Sequence, residues 1–101
     1  MLLKDKVALI TGGGNGIGRA IVLRFLRDGA KVVTVDLDQA GMEETLKEAG
    51  QAGGQIRGEM ANITKREDVQ RVVDSIVKEH GRLDILINNA GITRDALTAR
   101  V

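Results

Sequence analysis

The feature that most constrains this chain is a dense run of glycines between an apolar stretch and a helical pattern. Val7-Ala8-Leu9-Ile10 is continuously apolar, ends in Thr11, and leads directly into Gly12-Gly13-Gly14-Asn15-Gly16-Ile17-Gly18. A short apolar run bounded by turn residues reads as a strand buried on both faces, the signature of a parallel sheet. From Gly16 to Asp28 the apolar residues Ile17, Ile21 and Phe25, flanked by Ala20, Val22 and Leu26, recur at helical spacing and meet a stop at Gly29. The glycines therefore sit at a strand-to-helix junction, where backbone can approach a ligand closely and the N–H groups of a helix start point outward. Such a junction seats an anion, because phosphate oxygens gain hydrogen bonds and the positive end of the helix dipole.

The rest of the chain repeats the alternation. Lys31 to Asp36 reads as a second buried strand, and Gln39 to about Glu48 as a helix with Met42, Leu46 and Ala49 on one face, capped by Asp38. Gln55 to Met60 follows as a third strand, weakened by Gly58. Thr64-Lys65-Arg66-Glu67 fits a capping box that opens a third helix. Its stripe is Val69, Val72, Val73, Ile76 and Val77, and it stops at Gly81. Leu83 to Ile87 gives a fourth strand. The order βαβαβαβ predicts an α/β class, with a Rossmann-type parallel sheet in strand order 3-2-1-4, the first two helices on one face and the third on the other. This is one N-terminal half of a doubly wound domain, spanning residues 1–101 as a single unit.

Composition excludes several function classes. With no cysteine there are no disulfides, no thiolate chemistry and no Cys-based zinc site, and no metal ligand set is expected. Fifteen Lys and Arg against fourteen Asp and Glu leave a net charge of +1, with the signs interspersed, so neither nucleic acid nor a membrane surface is an expected partner. The N-terminus is charged where a signal peptide needs its apolar run, and no apolar stretch nears the roughly 20 residues of a membrane span. A cytoplasmic location is the expectation.

An acidic residue about 20 positions beyond the glycines, at the end of the second strand, completes the dinucleotide-binding rule. Asp36 fills that place. A carboxylate there accepts hydrogen bonds from both ribose hydroxyls and repels a 2′-phosphate, so NAD is favoured over NADP. The rival role for Asp36, capping the following turn, falls more naturally to Asp38. A Walker loop is excluded, because it ends in Gly-Lys-Ser/Thr and this one ends Gly16-Ile17-Gly18-Arg19. An S-adenosylmethionine fold, which also pairs a Gly-rich turn with an acid on the second strand, stays open on these residues alone. His80 falls in the last turn of the third helix, where a cation suits the dipole. Met42 and Met60 read as core filler, and Glu43-Glu44-Lys47-Glu48 as a solvated helix face.

The segment Ile87-Asn88-Asn89-Ala90-Gly91, taken with Thr11-Gly12-Gly13-Gly14-Asn15-Gly16-Ile17-Gly18, closely resembles the short-chain dehydrogenase/reductase family. That family's Thr-Gly-x-x-x-Gly-x-Gly and Asn-Asn-Ala-Gly motifs are both matched in full. Ile92-Thr93-Arg94-Asp95-Ala96-Leu97 is similar to the subgroup of 3-oxoacyl-acyl-carrier-protein reductases, which implies a 3-oxoacyl substrate for a parent enzyme. The resemblance implies that Gly12, Gly16 and Gly18 line the pyrophosphate, Asp36 the adenosine ribose, Asn62 and Ile63 the adenine, and Asn88, Ala90 and Gly91 the region near the nicotinamide ribose, with Asn15, Ile17 and Leu37 also among the cofactor-binding residues. Asn62 stands where the family usually has Asp, and its amide can accept from the adenine amino group through its carbonyl oxygen, without charge assistance. Asn15 and Leu37 occupy places where NADP-using members carry basic residues.

The chemistry of that family is implied to reside in a Ser and a Tyr-x-x-x-Lys motif. The chain has no tyrosine, so no catalytic residue is assigned and these 101 residues alone are expected to be inactive, truncated before the catalytic part. The alternative is a stand-alone or engineered half-domain that binds a nucleotide or serves structurally. Its fourth strand would be an apolar edge beside an undercovered sheet face, so self-association is expected.

Overall fold

β1 (Val7–Thr11) is buried along its whole length, and the other elements are arranged around it. In the computed structural model, which describes residues 2–51 and 53–89, it is followed by α1 (Gly16–Arg27), β2 (Lys31–Asp36), α2 (Gln39–Gln51), β3 (Gln55–Met60), α3 (Arg66–His80) and β4 (Ile85–Asn88). The strands form one parallel sheet in the order β3-β2-β1-β4, as the sequence predicts. β1 runs in register with both central neighbours, Leu9 lying between Val33 and Leu86.

Alternation along the strands builds two cores. Val7, Leu9, Val33 and Val35 face α3, where they pack with Ala61, Val72 and Ile76. Ile10 and Val32 face the other way and pack with Val22 and Leu26 of α1, Ala30, and Ala49 of α2. Two helices thus cover one face and one helix the other. Gly58, the weak point of β3, makes room for α2: a Cβ there would lie 3.0 Å from Met42 Sδ and 3.2 Å from a Leu46 methyl.

Several local expectations need correction. The buried stripe of α1 is Gly18, Val22 and Leu26, one position along from the predicted Ile17, Ile21 and Phe25. Ile17 is 72% exposed and stands at the open end of the helix. α2 runs on through Gln51, past the predicted end near Glu48, because Ala49 still has a core site to fill. Val77 and Met60 are exposed, Val77 because it lies off the Val72–Ile76 line and Met60 because it ends β3 beyond the cover of α2.

The capping box does not form. α3 starts at Arg66 with Lys65 as its cap, and no side-chain cap bond is made. Thr64 instead donates both its N–H and its hydroxyl to Asn62 Oδ1, a local turn that takes the hydroxyl away from the helix. The reciprocal acid is Asp68, whose carboxylate accepts the Asn62 N–H at 2.9 Å. β4 begins two residues later than predicted, because Asp84 uses its side chain to accept the Val7 N–H (2.9 Å) while its own N–H donates to the Val7 carbonyl. Gly81, with φ 82°, ends α3 as expected, and His80 is the last helical residue.

Candidate functional site

The C-terminal ends of β1, β2 and β4 meet at the glycine loop. Topology fixes this point: α1 leaves β1 to one side and β4 joins on the other, so the sheet's strand order reverses there and leaves a crevice. Gly12 turns the chain out of β1 with φ 74°, a conformation that suits only glycine at little cost. Gly18 lets α1 press on the loop, since a Cβ there would come within 1.8 Å of the Gly12 carbonyl oxygen. Gly16 differs, because a Cβ at that position would meet nothing within 4 Å. Asn15 caps α1 in extended geometry without a side-chain bond, so the helix N-terminus faces outward with its first-turn N–H groups lacking intrahelical acceptors.

Asp36 sits beside this opening, half-buried at the end of β2. Its Oδ2 accepts the Gly14 N–H at 2.9 Å and its Oδ1 accepts the Asp38 N–H at 3.0 Å. The carboxylate therefore ties the glycine loop to the β2–α2 turn. Asp38 caps α2 as expected, accepting the Gly41 N–H at 3.0 Å. The two aspartates share the turn, one holding its entrance and the other the helix. Gly14 is part of the arrangement, for a Cβ there would lie 2.7 Å from Asp36 Oδ2. Leu37, next in the chain, is 62% exposed.

Asn62 and Ile63 follow β3. Ile63 packs on the α3-side core. The Asn62 carbonyl oxygen already accepts twice from Thr64, which departs from its predicted role as acceptor and leaves its NH2 as the group with donors to offer. Asn88 ends β4 and accepts the Thr11 hydroxyl at 3.1 Å. Ala90 and Gly91, like Arg94 and Asp95, lie outside the described residues.

Four residues of this region escaped the sequence reading. Asn89 donates from Nδ2 to the Gly12 carbonyl at 3.2 Å, so the motif after β4 braces the loop after β1. Gly41, in the first turn of α2, has room only for hydrogen: a Cβ would stand 2.2 Å from the Gly14 carbonyl. Arg19 and Thr45 bond the loop from α1 and α2. A glycine inside a helix start was a readable signal for Gly41; nothing in the local pattern marked Arg19 or Thr45. The face read as simply solvated is exposed, but two of its residues, Glu44 and Glu48, pair with Arg19. Among the described residues no cluster suited to a metal occurs and no helix is long and apolar enough to cross a membrane.

The sequence and the fold that carry this site resemble those of known proteins. The sequence model of the short chain dehydrogenase family matches residues 6–101. The 3-oxoacyl-[acyl-carrier-protein] reductase FabG of Thermotoga maritima is 43% identical over 101 residues, all of this chain and 41% of that protein. The short-chain dehydrogenase/reductase homolog YusS of Bacillus subtilis is 44% identical over 95 residues, 93% of this chain and 87% of that one. Among solved structures, a metagenomic short-chain oxidoreductase in complex with NADP superposes with a TM-score of 0.85 at 30% identity, covering 91% of this chain and 42% of that one. A short chain dehydrogenase/reductase from Burkholderia phymatum in complex with NAD gives 0.79 at 29%, covering 85% and 31%. The chain thus spans about two fifths of the FabG relative and most of YusS. With its motifs, its Rossmann-type sheet and the match from residue 6 onward, the chain belongs to the short-chain dehydrogenase family.

Proposed function

We propose that residues 1–101 form an NAD-binding half-domain, and that in a complete enzyme it serves hydride transfer between NAD(H) and a ketone or alcohol. A 3-oxoacyl compound is the leading substrate class, on the likeness to the Thermotoga maritima reductase. The observation that carries the reading is the Asp36 carboxylate, fixed by two N–H groups beside the open N-terminus of α1.

The residues present fit the cofactor. The first turn of α1 offers N–H donors and a positive dipole end to a pyrophosphate, and the open space at Gly16 admits it against the backbone. In this reading Gly12, Asn15, Gly16, Ile17 and Gly18 hold the phosphates. Asp36 uses its remaining lone pairs for the ribose hydroxyls and disfavours a 2′-phosphate by repulsion, while the exposed Leu37 adds no cation to offset it. Asn62 and Ile63 flank the base, and Asn88, Ala90 and Gly91 the second ribose. NAD, when bound, supplies the ring that carries the hydride. The 101 residues include no tyrosine, so the proton donor implied by the family resemblance is not among them.

A second reading is that these residues bind a nucleotide or serve structurally; the match over 87% of the short-chain dehydrogenase/reductase homolog YusS shows a relative of similar extent. Under either reading we place the chain in the cytoplasm and expect it to self-associate through β4, the outer strand of the sheet among the described residues, whose apolar residues are only half-buried. Light scattering of a concentrated sample should show dimers or larger species; a monomer throughout contradicts that expectation. The cofactor reading is tested by titrating NADH and NADPH while following nicotinamide fluorescence. Saturable NADH binding, weaker NADPH binding and loss of the preference in Asp36→Ala support it. A folded chain that binds neither leaves the structural reading.

A further inference from the structure

Arg19 immediately follows Gly18 on α1, and its guanidinium reaches the carbonyl side of the glycine loop. Nη2 donates to the Gly14 carbonyl at 3.0 Å and to the Gly41 carbonyl at 3.4 Å. Nε donates to Thr45 Oγ1 at 2.9 Å, and Nη1 to Glu44 Oε1 at 3.2 Å and Glu48 Oε2 at 3.3 Å. Thr45 is fully buried and passes its own hydroxyl proton to the Gly13 carbonyl at 2.7 Å. On the β4 side, Asn89 holds the Gly12 carbonyl. Three successive loop carbonyls are thus anchored to side chains from α1, from α2 and from the residue that follows β4.

In a planar trans peptide the carbonyl of one residue and the N–H of the next point in opposite directions. Anchoring the Gly13 carbonyl on Thr45 therefore aims the Gly14 N–H the other way, where it meets Asp36 Oδ2. By the same geometry, anchoring the Gly14 carbonyl on Arg19 turns the Asn15 N–H away from the guanidinium. Two carboxylates flank the guanidinium, so its contribution is directional rather than a net positive charge offered to a ligand.

We propose that Arg19, acting with Thr45, is a positioning residue for the phosphate seat: it touches loop carbonyls rather than cofactor, and by holding the Gly14 carbonyl it sets the direction of the Asn15 N–H toward the pyrophosphate, while the Gly14 N–H stays on Asp36. The assignment rests on the cofactor reading above and adds a residue outside its contact set. Lysine cannot replace the fork, because one ammonium cannot reproduce donors spread over three nitrogens in a plane.

The test measures NADH and adenosine binding to the 101-residue chain and to Arg19→Met and Arg19→Lys, with thermal melting to establish folding. Adenosine carries the base and ribose without phosphate, and its binding is followed by chemical-shift perturbation. Arg19→Met is expected to weaken NADH about tenfold, the scale of losing charge-assisted bonds, while adenosine affinity holds. Arg19→Lys should fall between. Unchanged NADH affinity in folded Arg19→Met, or a parallel loss for adenosine, overturns the proposal. If Arg19→Met does not fold, Arg19→Lys carries the same comparison, since it keeps a charge on α1 but loses the planar fork that bonds the Gly14 carbonyl and Thr45. An unaltered chain that binds no NADH refutes the cofactor reading itself, and the Arg19 assignment with it.

Discussion

Asp36 Oδ2 accepts the Gly14 N–H across 2.9 Å, joining the end of the second strand to the middle of the glycine loop. The residue expected to read the ribose is therefore also a strut of the phosphate seat, and substitution acts on both. Asp36→Ala should destabilise the chain by about 1–2 kcal/mol, because two N–H groups, that of Gly14 part-buried and that of Asp38 exposed, lose a charged acceptor. Asp36→Asn, with one carbonyl oxygen left, should lose about half as much. Urea denaturation of the two variants checks the order.

The glycines separate fold from site. Gly18→Ala places a Cβ 1.8 Å from the Gly12 carbonyl oxygen and should cost about 3 kcal/mol or more in stability. Gly16→Ala meets open space at the helix start and should be neutral or stabilising by about 0.5 kcal/mol, yet weaken NADH by filling the approach to the backbone. Melting should separate the two variants, and titration should show NADH weakened in both, in Gly16→Ala without loss of stability.

Ile76 is completely buried and belongs to the only described helix on its face of the sheet. Ile76→Ala should cost about 2–5 kcal/mol. In a domain whose whole stability is on the order of 5–10 kcal/mol, that is enough to populate the unfolded state at room temperature, which circular dichroism would detect.

Asp84 gives the acid limb of stability. The hydrogen bond from the Val7 N–H holds its carboxyl below the usual carboxylate value; burial opposes this, and the Arg82 guanidinium and Lys6 add to the lowering. A group whose value is lowered on folding stabilises the chain above its unfolded value, about 3.9, and loses that contribution as pH falls through the lower folded value. Asp84→Asn should reduce stability at pH 7 and flatten its decline as pH falls below about 4. Denaturant midpoints measured across that range check the sign.

How much was legible follows from where each interaction lies along the chain. Buried strands such as Val7–Thr11 and Lys31–Asp36 announce themselves by continuous apolarity, and the strand order follows from helical crossovers and chain-wide handedness. Asp38 was readable as a cap because its partner Gly41 is three residues away. The Thr64 box was misread for a related reason: the hydroxyl that a capping box uses as acceptor for a helix N–H is instead turned toward Asn62 Oδ1, to which it donates two residues away. Arg19 and Thr45 were illegible because their partners lie 26 and 32 residues off, brought together only once α2 packs on the loop. Met60 and Val77 show the same limit, since apolar identity does not say which side of a boundary a residue falls on.

The central claim is that a dinucleotide rests on the glycine loop with its ribose at Asp36. Backbone amide shifts recorded while NAD is added to isotope-labelled chain test it most directly. Saturable changes concentrated at Gly13, Asn15, Gly16 and Ile17, with a second group at Asp36 and Leu37, are the expected result. A folded chain whose loop amides stay still, or whose largest changes fall on the outer face of α3, contradicts it.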